Sequence, residues 1–430
     1  MNKKTIAGIL FFASIALVFV TCKKKSEDDD CPVCPSVTSI SPVSGEAYTE
    51  LTINGINFAS NFKANIVKIN GVQIDADSIL SGTTTQLVVK VPKGCGSGAV
   101  TVDVDADLTN AGTPPHFEYI YRFVISTLAG SRYVSGTTGN STSNMLFASP
   151  QDIVWRPGNL LYILDRSGHT LRYINLNDNS AGSIDATSGF CSCSGILSLD
   201  IDSNGLFYMS AQFDEQVYML SASSLTPLAG TFNNNGTTDS TLLLSEFCDP
   251  YDICVNPSNN QEIFLTDFCG HRIRKISKAT GRVTTILGGD TLYGDQDGPV
   301  SSARLSNPSS VIAKNGIIYF ADWVAHKVKK IQGGIVTTLA GSSDGDADGL
   351  GALASLSYPN RLSFDQNDDL LLCDGGNVKI KRISKAGQVV TIAGGDTAVI
   401  RSVFGVCADA SGNIYVADKM AQVIHKISRE

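Results

Sequence analysis

No stretch of this chain sustains a 3.6-residue apolar period, so amphipathic helices are excluded as its building elements and an all-β protein is expected. Charge is scarce as well. Only 17% of residues are Asp, Glu, Lys or Arg and the formal net charge is −8. That balance lacks the basic face that phosphates require, so nucleic acid is not an expected partner. The one long apolar run near the start, Ile6 to Val20, is too short for a comfortable membrane span. H-E-x-x-H and P-loop motifs are absent, and the one G-x-S-x-G match, Gly341–Gly345, falls in a Gly-rich connector of an all-β pattern and not between a strand and a helix, which leaves no familiar catalytic signature. Cys31-Pro-Val-Cys34 lacks a second such pair at metal spacing, which disfavours zinc and leaves a small loop bridge as its reading.

What is present is a repeat. An apolar run ending in Asp recurs as Leu161–Asp165, Ile263–Asp267, Ile318–Asp322, Leu370–Asp374 and Ile414–Asp418, with a degenerate copy at Phe207–Ala211. Successive copies lie 44 to 56 residues apart, close to the roughly 40–50 residues of a four-stranded propeller blade. After each Asp comes a turn and an alternating strand such as Arg272-Ile-Arg-Lys-Ile276 or Lys327-Val-Lys-Lys-Ile331. The period of two predicts one buried and one wet face, with the basic residues pointing outward around the ring. A Val/Thr strand and a Gly-rich connector complete the unit. The last copy ends one strand short. Residues 123–128 are expected to supply that strand, removing an open edge and closing a six-bladed propeller over 121–430.

The motif Asp267…His271-Arg272 followed by an alternating basic strand resembles NHL repeats, as does the connector Asp344-Gly-Asp-Ala-Asp-Gly349. The second copy departs from it, with Ala211 for Asp and Glu215-Gln216 for His-Arg. Upstream, Ser36–Gly45, Leu51–Phe58, Val67–Gly71, Gln86–Pro92 and Ser97–Val102 are short alternating segments with Gly/Asn turns. Their order resembles an IPT/TIG domain, an immunoglobulin-like β-sandwich, over residues 36–120. The start, with Lys3-Lys4, the apolar core and Thr21-Cys22, resembles a bacterial lipoprotein signal (1–21) with Cys22 lipidated. Thr21 and Phe19 depart from the usual residues of such a site. An ordinary secretory signal is the alternative. A charged tether (22–35) would follow, its acidic half resembling signals that route lipoproteins to the outer face. The resemblance implies an outer-membrane lipoprotein, cell-surface exposed, held by its lipid anchor alone and monomeric.

Candidate site residues fall on the face where loops enter the innermost strands and where second and third strands join. The repeated Asp residues suit turn hydrogen bonds better than ligand binding. His169, His271 and His326, one per blade, are too dispersed for zinc. The axial mouth is read as Asp152, Ser198, Asp252, Ser310, Arg361 and Gly405. Gluconolactonase-type propellers hold a divalent metal near such an axis, and that resemblance makes an axial hydrolase or lyase the alternative function. Arg361 opposes a cation there and would satisfy both carboxylates. No cofactor is expected, with a structural or axial cation such as calcium the open alternative. The EF-hand-like run from Asp344 has Ser355 where a bidentate Glu belongs, so it reads as a connector. Phe268 and Trp323, each one residue past its Asp, with Phe213 and Tyr293 on nearby loops, form the aromatic set for stacking a sugar ring. The expected function is therefore non-catalytic binding of a glycan or a protein partner. Cys191, Cys193, Cys248 and Cys269 are disulfide candidates, Cys193–Cys248 first. Cys254, Cys373 and Cys407 are expected as buried thiols.

Overall fold

A computed structural model describes residues 34–104, 109–119, 122–184, 195–221, 224–289 and 293–429. The signal, Cys22, the tether to residue 33, Cys191 and Cys193 lie outside the described residues. Cys34 is disulfide-bonded. The chain falls into two compact units, one ending at Arg122 and one spanning Phe123–Arg429.

The first unit is built from two antiparallel-dominated sheets. One contains Ser36–Ser41, Glu50–Ile56, Gln86–Lys90 and Ile79–Gly82 in that order. The other runs Ser44–Gly45, His116–Tyr119, Gly98–Asp103, Ile66–Ile69 and Val72–Gln73. Alternate residues turn inward, so Leu51, Ile53, Val67, Ile69, Leu87, Val89, Val100 and Phe117 form a sealed core.

Among the described residues the second unit contains six sheets. Their innermost strands are Pro150–Arg156, Ile196–Ile201, Pro250–Val255, Pro308–Lys314, Pro359–Phe364 and Gly405–Ala408. Each packs against the next, and the sixth packs against the first. A Cβ on Gly405 would meet the Asp152 backbone at 2.8 Å, so only glycine fits that close approach. Four of these strands open with Pro, which at a first position costs no ladder bond. In the first five the pairing with the second strand shifts near the start, as between Pro150 and Asp152. Such a bulge re-aims the side chains beside it. Phe123–Gly130 pairs antiparallel with Val423–Arg429, Ile125 opposite Ile427, and so joins the two ends of the unit in one sheet.

The expected outward display of basic residues needs correction. Arg172, Arg274, Lys329 and Lys381, in the middle of their third strands, are wholly buried. The connectors fold over them. Lys329 reaches Asp295 and Asp297 at 2.5 and 2.9 Å, and Lys381 reaches Asp346 and Asp348 at 3.1 and 2.9 Å. Arg274 lies 2.8 Å from Asp239 and 2.6 Å from Asp267. Arg172, with no acid in its connector, donates to the carbonyls of Leu146, Thr138 and Gly139. The Asp/Gly connectors are thus clamps. Asp239, Asp297 and Asp348 also take the backbone N–H of Thr285, Thr338 and Thr391, tying the strand that follows to the same charge. Burial works against these carboxylates, yet the ammoniums of Lys327 and Lys329 hold Asp295, Lys329 holds Asp297, Lys379 and Lys381 hold Asp346, and Lys381 holds Asp348 below the usual range.

Candidate functional site

The repeated Asp residues set the geometry of the loop face. Asp165, Asp267, Asp322, Asp374 and Asp418 are fully buried. Each accepts from the N–H of residues leading into its own innermost strand: Ser149, Cys248, Ser306, Ser357 and Ser402 respectively. They bridge segments 16 to 19 residues apart as well as shaping a turn. Four residues on, His169, Glu215, His271, His326, Val378 and Gln422 all adopt a left-handed conformation, with φ between 48° and 62°. That sharp turn presents the residue just after each anchor. Its N–H is fixed in five sheets, from Arg166 to the Ser149 carbonyl, Gln212 to Gly195, Phe268 to Asp249, Trp323 to Asn307 and Gly375 to Tyr358. Lys419 occupies the sixth position.

On one side of this ring the aromatic rings are continuous. Tyr251 stacks on Phe268 with centroids 5.1 Å apart, and Phe268 meets Trp323 at 5.9 Å. Trp323 meets Tyr358 at 4.5 Å, which in turn lies 4.7 Å from His326. Tyr358 is 39% exposed while Phe268 and Trp323 are half-buried, so each keeps part of its surface open to solvent. Phe213 and Tyr293 are exposed but stand apart. Phe213 lies beneath the Arg166 guanidinium at 5.6 Å, and Tyr293 packs on His271 at 4.5 Å. Tyr251 and Tyr358 escaped the sequence reading because they sit at the start of an innermost strand and just before one, instead of following an Asp anchor.

Below the mouth, Arg361 lies between two buried acids. Its guanidinium contacts Asp152, Asp252 and the Ser198 hydroxyl, the last at 2.8 Å. Asp252 further accepts from Ser198 at 2.7 Å, Ser310 at 2.6 Å and the N–H groups of Ile253 and Val311. Asp152 accepts from the N–H groups of Ile153 and Leu199. Burial pushes the Asp152 carboxyl up, and the Arg361 charge and those two N–H groups pull it back. Every carboxylate oxygen here already has a donor, and a fixed guanidinium stands where a metal would sit. These residues do not fit an axial divalent cation. Among the described residues no three His, Cys, Asp or Glu side chains are placed to hold a metal ion.

The clasp separates two hollows. Above it is a recess of about 10 Å3 among Gln151, Tyr251, Asn360, Arg361 and Phe404, room for about one water. On the other side is a cavity of about 470 Å3, lined by the later halves of the innermost strands and including Trp155, Cys254, Lys314 and Phe364. The sequence reading named Asp252, Arg361, Cys254 and Cys407 among its lining but placed no ligand there.

Among the cysteine candidates, Cys248 pairs with Cys269, their Cα atoms 5.2 Å apart. This corrects the Cys193–Cys248 pairing. Asp267 holds the Cys248 N–H at 2.6 Å and Cys269 donates to the Cys248 carbonyl at 3.1 Å, so one repeat aligns both thiols. Cys254, Cys373 and Cys407 are buried free thiols whose pKa burial pushes up. Glu215, in the copy that lacks Asp, is 7% exposed. Burial pushes its carboxyl to about 7, while the Asp249 N–H donates to it at 2.9 Å.

Comparison with known proteins agrees with this architecture. Residues 35–119 match the IPT/TIG domain family. The chain is 31% identical to NHL repeat-containing protein 2 of Gallus gallus over 28% of its own length and 18% of that protein. It is 28% identical to Protein SUPPRESSOR OF QUENCHING 1, chloroplastic, of Arabidopsis thaliana, over 59% of this chain and 26% of that one. It thus spans about a quarter or less of these curated relatives. Among solved structures, a protein of unknown function from Bacteroides thetaiotaomicron superposes with a TM-score of 0.57 at 18% identity, covering 93% of this chain and 99% of that one. An auxiliary nutrient binding protein from Bacteroides ovatus gives 0.56 at 17%, covering 92% and 98%. At such identity these likenesses concern the fold. The chain joins an IPT/TIG domain to a β-propeller with NHL-repeat homologues.

Proposed function

We propose that residues 121–430 form a closed six-bladed NHL propeller whose loop face binds a glycan without catalysis, carried on an outer-membrane lipoprotein exposed at the cell surface through Cys22. The observation that carries this reading is the unbroken aromatic run Tyr251–Phe268–Trp323–Tyr358, since partly exposed rings held rigidly side by side suit the apolar faces of sugars. The Bacteroides ovatus protein of similar fold is described as nutrient binding, and the role proposed is of that kind. A protein partner at the same face is the second form of the reading, favoured by the exposed Phe213 and Tyr293 rings flanking the run. An axial lactonase or lyase is disfavoured by the Arg361 clasp. The test is a glycan-array and pull-down screen of the whole chain beside Trp323→Ala and Phe268→Ala. Each variant should lose binding by about tenfold or more, the worth of roughly 1–3 kcal/mol at a stacked ring, with unchanged melting. Binding that survives both substitutions contradicts the proposal.

A further inference from the structure

The six residues just past the anchors form a polarised ring. Phe268 and Trp323 fill the third and fourth positions, Gly375 leaves the fifth open, and two cations, Lys419 and Arg166, fill the sixth and first. Each cation lies over an aromatic ring: Lys419 Nζ is 4.7 Å from the centre of Phe404, and the Arg166 guanidinium 5.6 Å from that of Phe213. Both are half-buried. Gln151, 5% exposed, lines the axial recess together with Phe404, and its buried Oε1 has no hydrogen-bond partner among the described residues.

We infer that the loop face selects an anionic saccharide, with the aromatic arc stacking on its ring and Arg166 and Lys419 receiving its carboxylate or sulfate. This rests on the platform proposed above and goes further by fixing the charge of the ligand. Elsewhere in this unit, the wholly buried cations are answered by the chain itself: Lys329, Lys381 and Arg274 each have two aspartates, and Arg172 is met by backbone carbonyls. Among the described residues Arg166 and Lys419 have no carboxylate within salt-bridge distance. Burial lowers the pKa of both, and Lys419 is pushed down further by Arg166. Two neighbouring, partly desolvated cations repel one another, and an anion seated between them relieves both. The planar guanidinium suits a two-oxygen acceptor. The arcs are continuous, because Tyr251, which feels the Arg166 charge, also stacks on Phe268. A local cation pair is notable in a chain of net charge −8, which otherwise repels anions.

The test is calorimetric titration of the full chain with neutral, uronic-acid and sulfated oligosaccharides of equal length. One or both charged sugars should bind at least tenfold more tightly than the neutral one, and the comparison of the two tells carboxylate from sulfate. The Arg166→Met/Lys419→Met double variant should lose that preference while retaining its affinity for the neutral sugar. Raising salt should weaken only the charged sugars. Equal affinity for all three, or a preference untouched by the double variant, overturns the anion inference and leaves the stacking platform standing. Binding of none of the three overturns the platform as well. If the double variant melts early, wild-type salt dependence decides: a charge preference that salt does not reduce contradicts the assignment.

Discussion

Replacing Arg361 by methionine removes the guanidinium from between Asp152 and Asp252 and leaves most of the side-chain volume. Arg361 is 12% exposed and the two carboxylates 2% and 1%. Solvent therefore screens little, and removing one partner of a buried pair costs about 3–5 kcal/mol. At roughly 2–4 °C per kcal/mol for a domain of this size, melting should fall by about 6–20 °C. The loss should depend on pH. Without the guanidinium, Asp152 holds its proton more readily when folded than when unfolded, so the variant's stability falls as pH rises through the folded pKa. The deficit should be smaller at pH 5 than at pH 8. Adding Asp152→Asn and Asp252→Asn should recover much of the loss, because no uncompensated charge is then buried. Calorimetric melting of the three proteins at both pH values checks this. An Arg361→Met protein that melts with wild type at pH 8 would refute the reasoning, since the carboxylates would have found water or another cation.

Other positions give independent tests. Asp322→Ala strands the buried Ser306 N–H, which donates to both its oxygens, and should cost about 1–3 kcal/mol in a denaturant titration while sparing any ligand contact of Trp323. Glu215 has its folded pKa raised to about 7 from an ordinary 4.5, so its contribution is present below the ordinary value and lost as pH rises through about 7. Glu215→Gln should accordingly flatten the fall in melting temperature between pH 5 and 8, and an unchanged slope contradicts the shift. The Cys248–Cys269 bridge closes a separation of 21 residues, worth about 3 kcal/mol. Non-reducing peptide mapping should recover that pair, and reduction should lower melting. Finding Cys248 joined to Cys193 instead would restore the pairing first expected from the sequence.

Much of the fold was legible because it is written as repetition. The spacing of Asp165, Asp267, Asp322, Asp374 and Asp418 marks second strands in five of the six sheets, and the alternating runs after them are third strands. Burial of Arg172, Arg274, Lys329 and Lys381 was not legible. A period of two identifies two faces, but only the folded connector shows that Asp297 and Asp348 cover one of them. The site divides similarly. Sitting just past an anchor puts Phe268 and Trp323 side by side, whereas Tyr358 joins them from a segment 35 residues beyond Trp323, a proximity created by neighbouring sheets. The same rule, applied to aromatics alone, passed over Arg166 and Lys419 at the matching positions.

The two tryptophans allow the location of binding to be measured directly. Trp323 stands in the aromatic run of the loop face, and Trp155 lines the 470 Å3 cavity beyond the Arg361 clasp. Fluorescence titration of Trp155→Phe, in which Trp323 is the sole indole, should show a saturable change with the bound saccharide, and Trp323→Phe should stay silent. A response from Trp155 alone would place the ligand in the opposite cavity and contradict binding at the loop face.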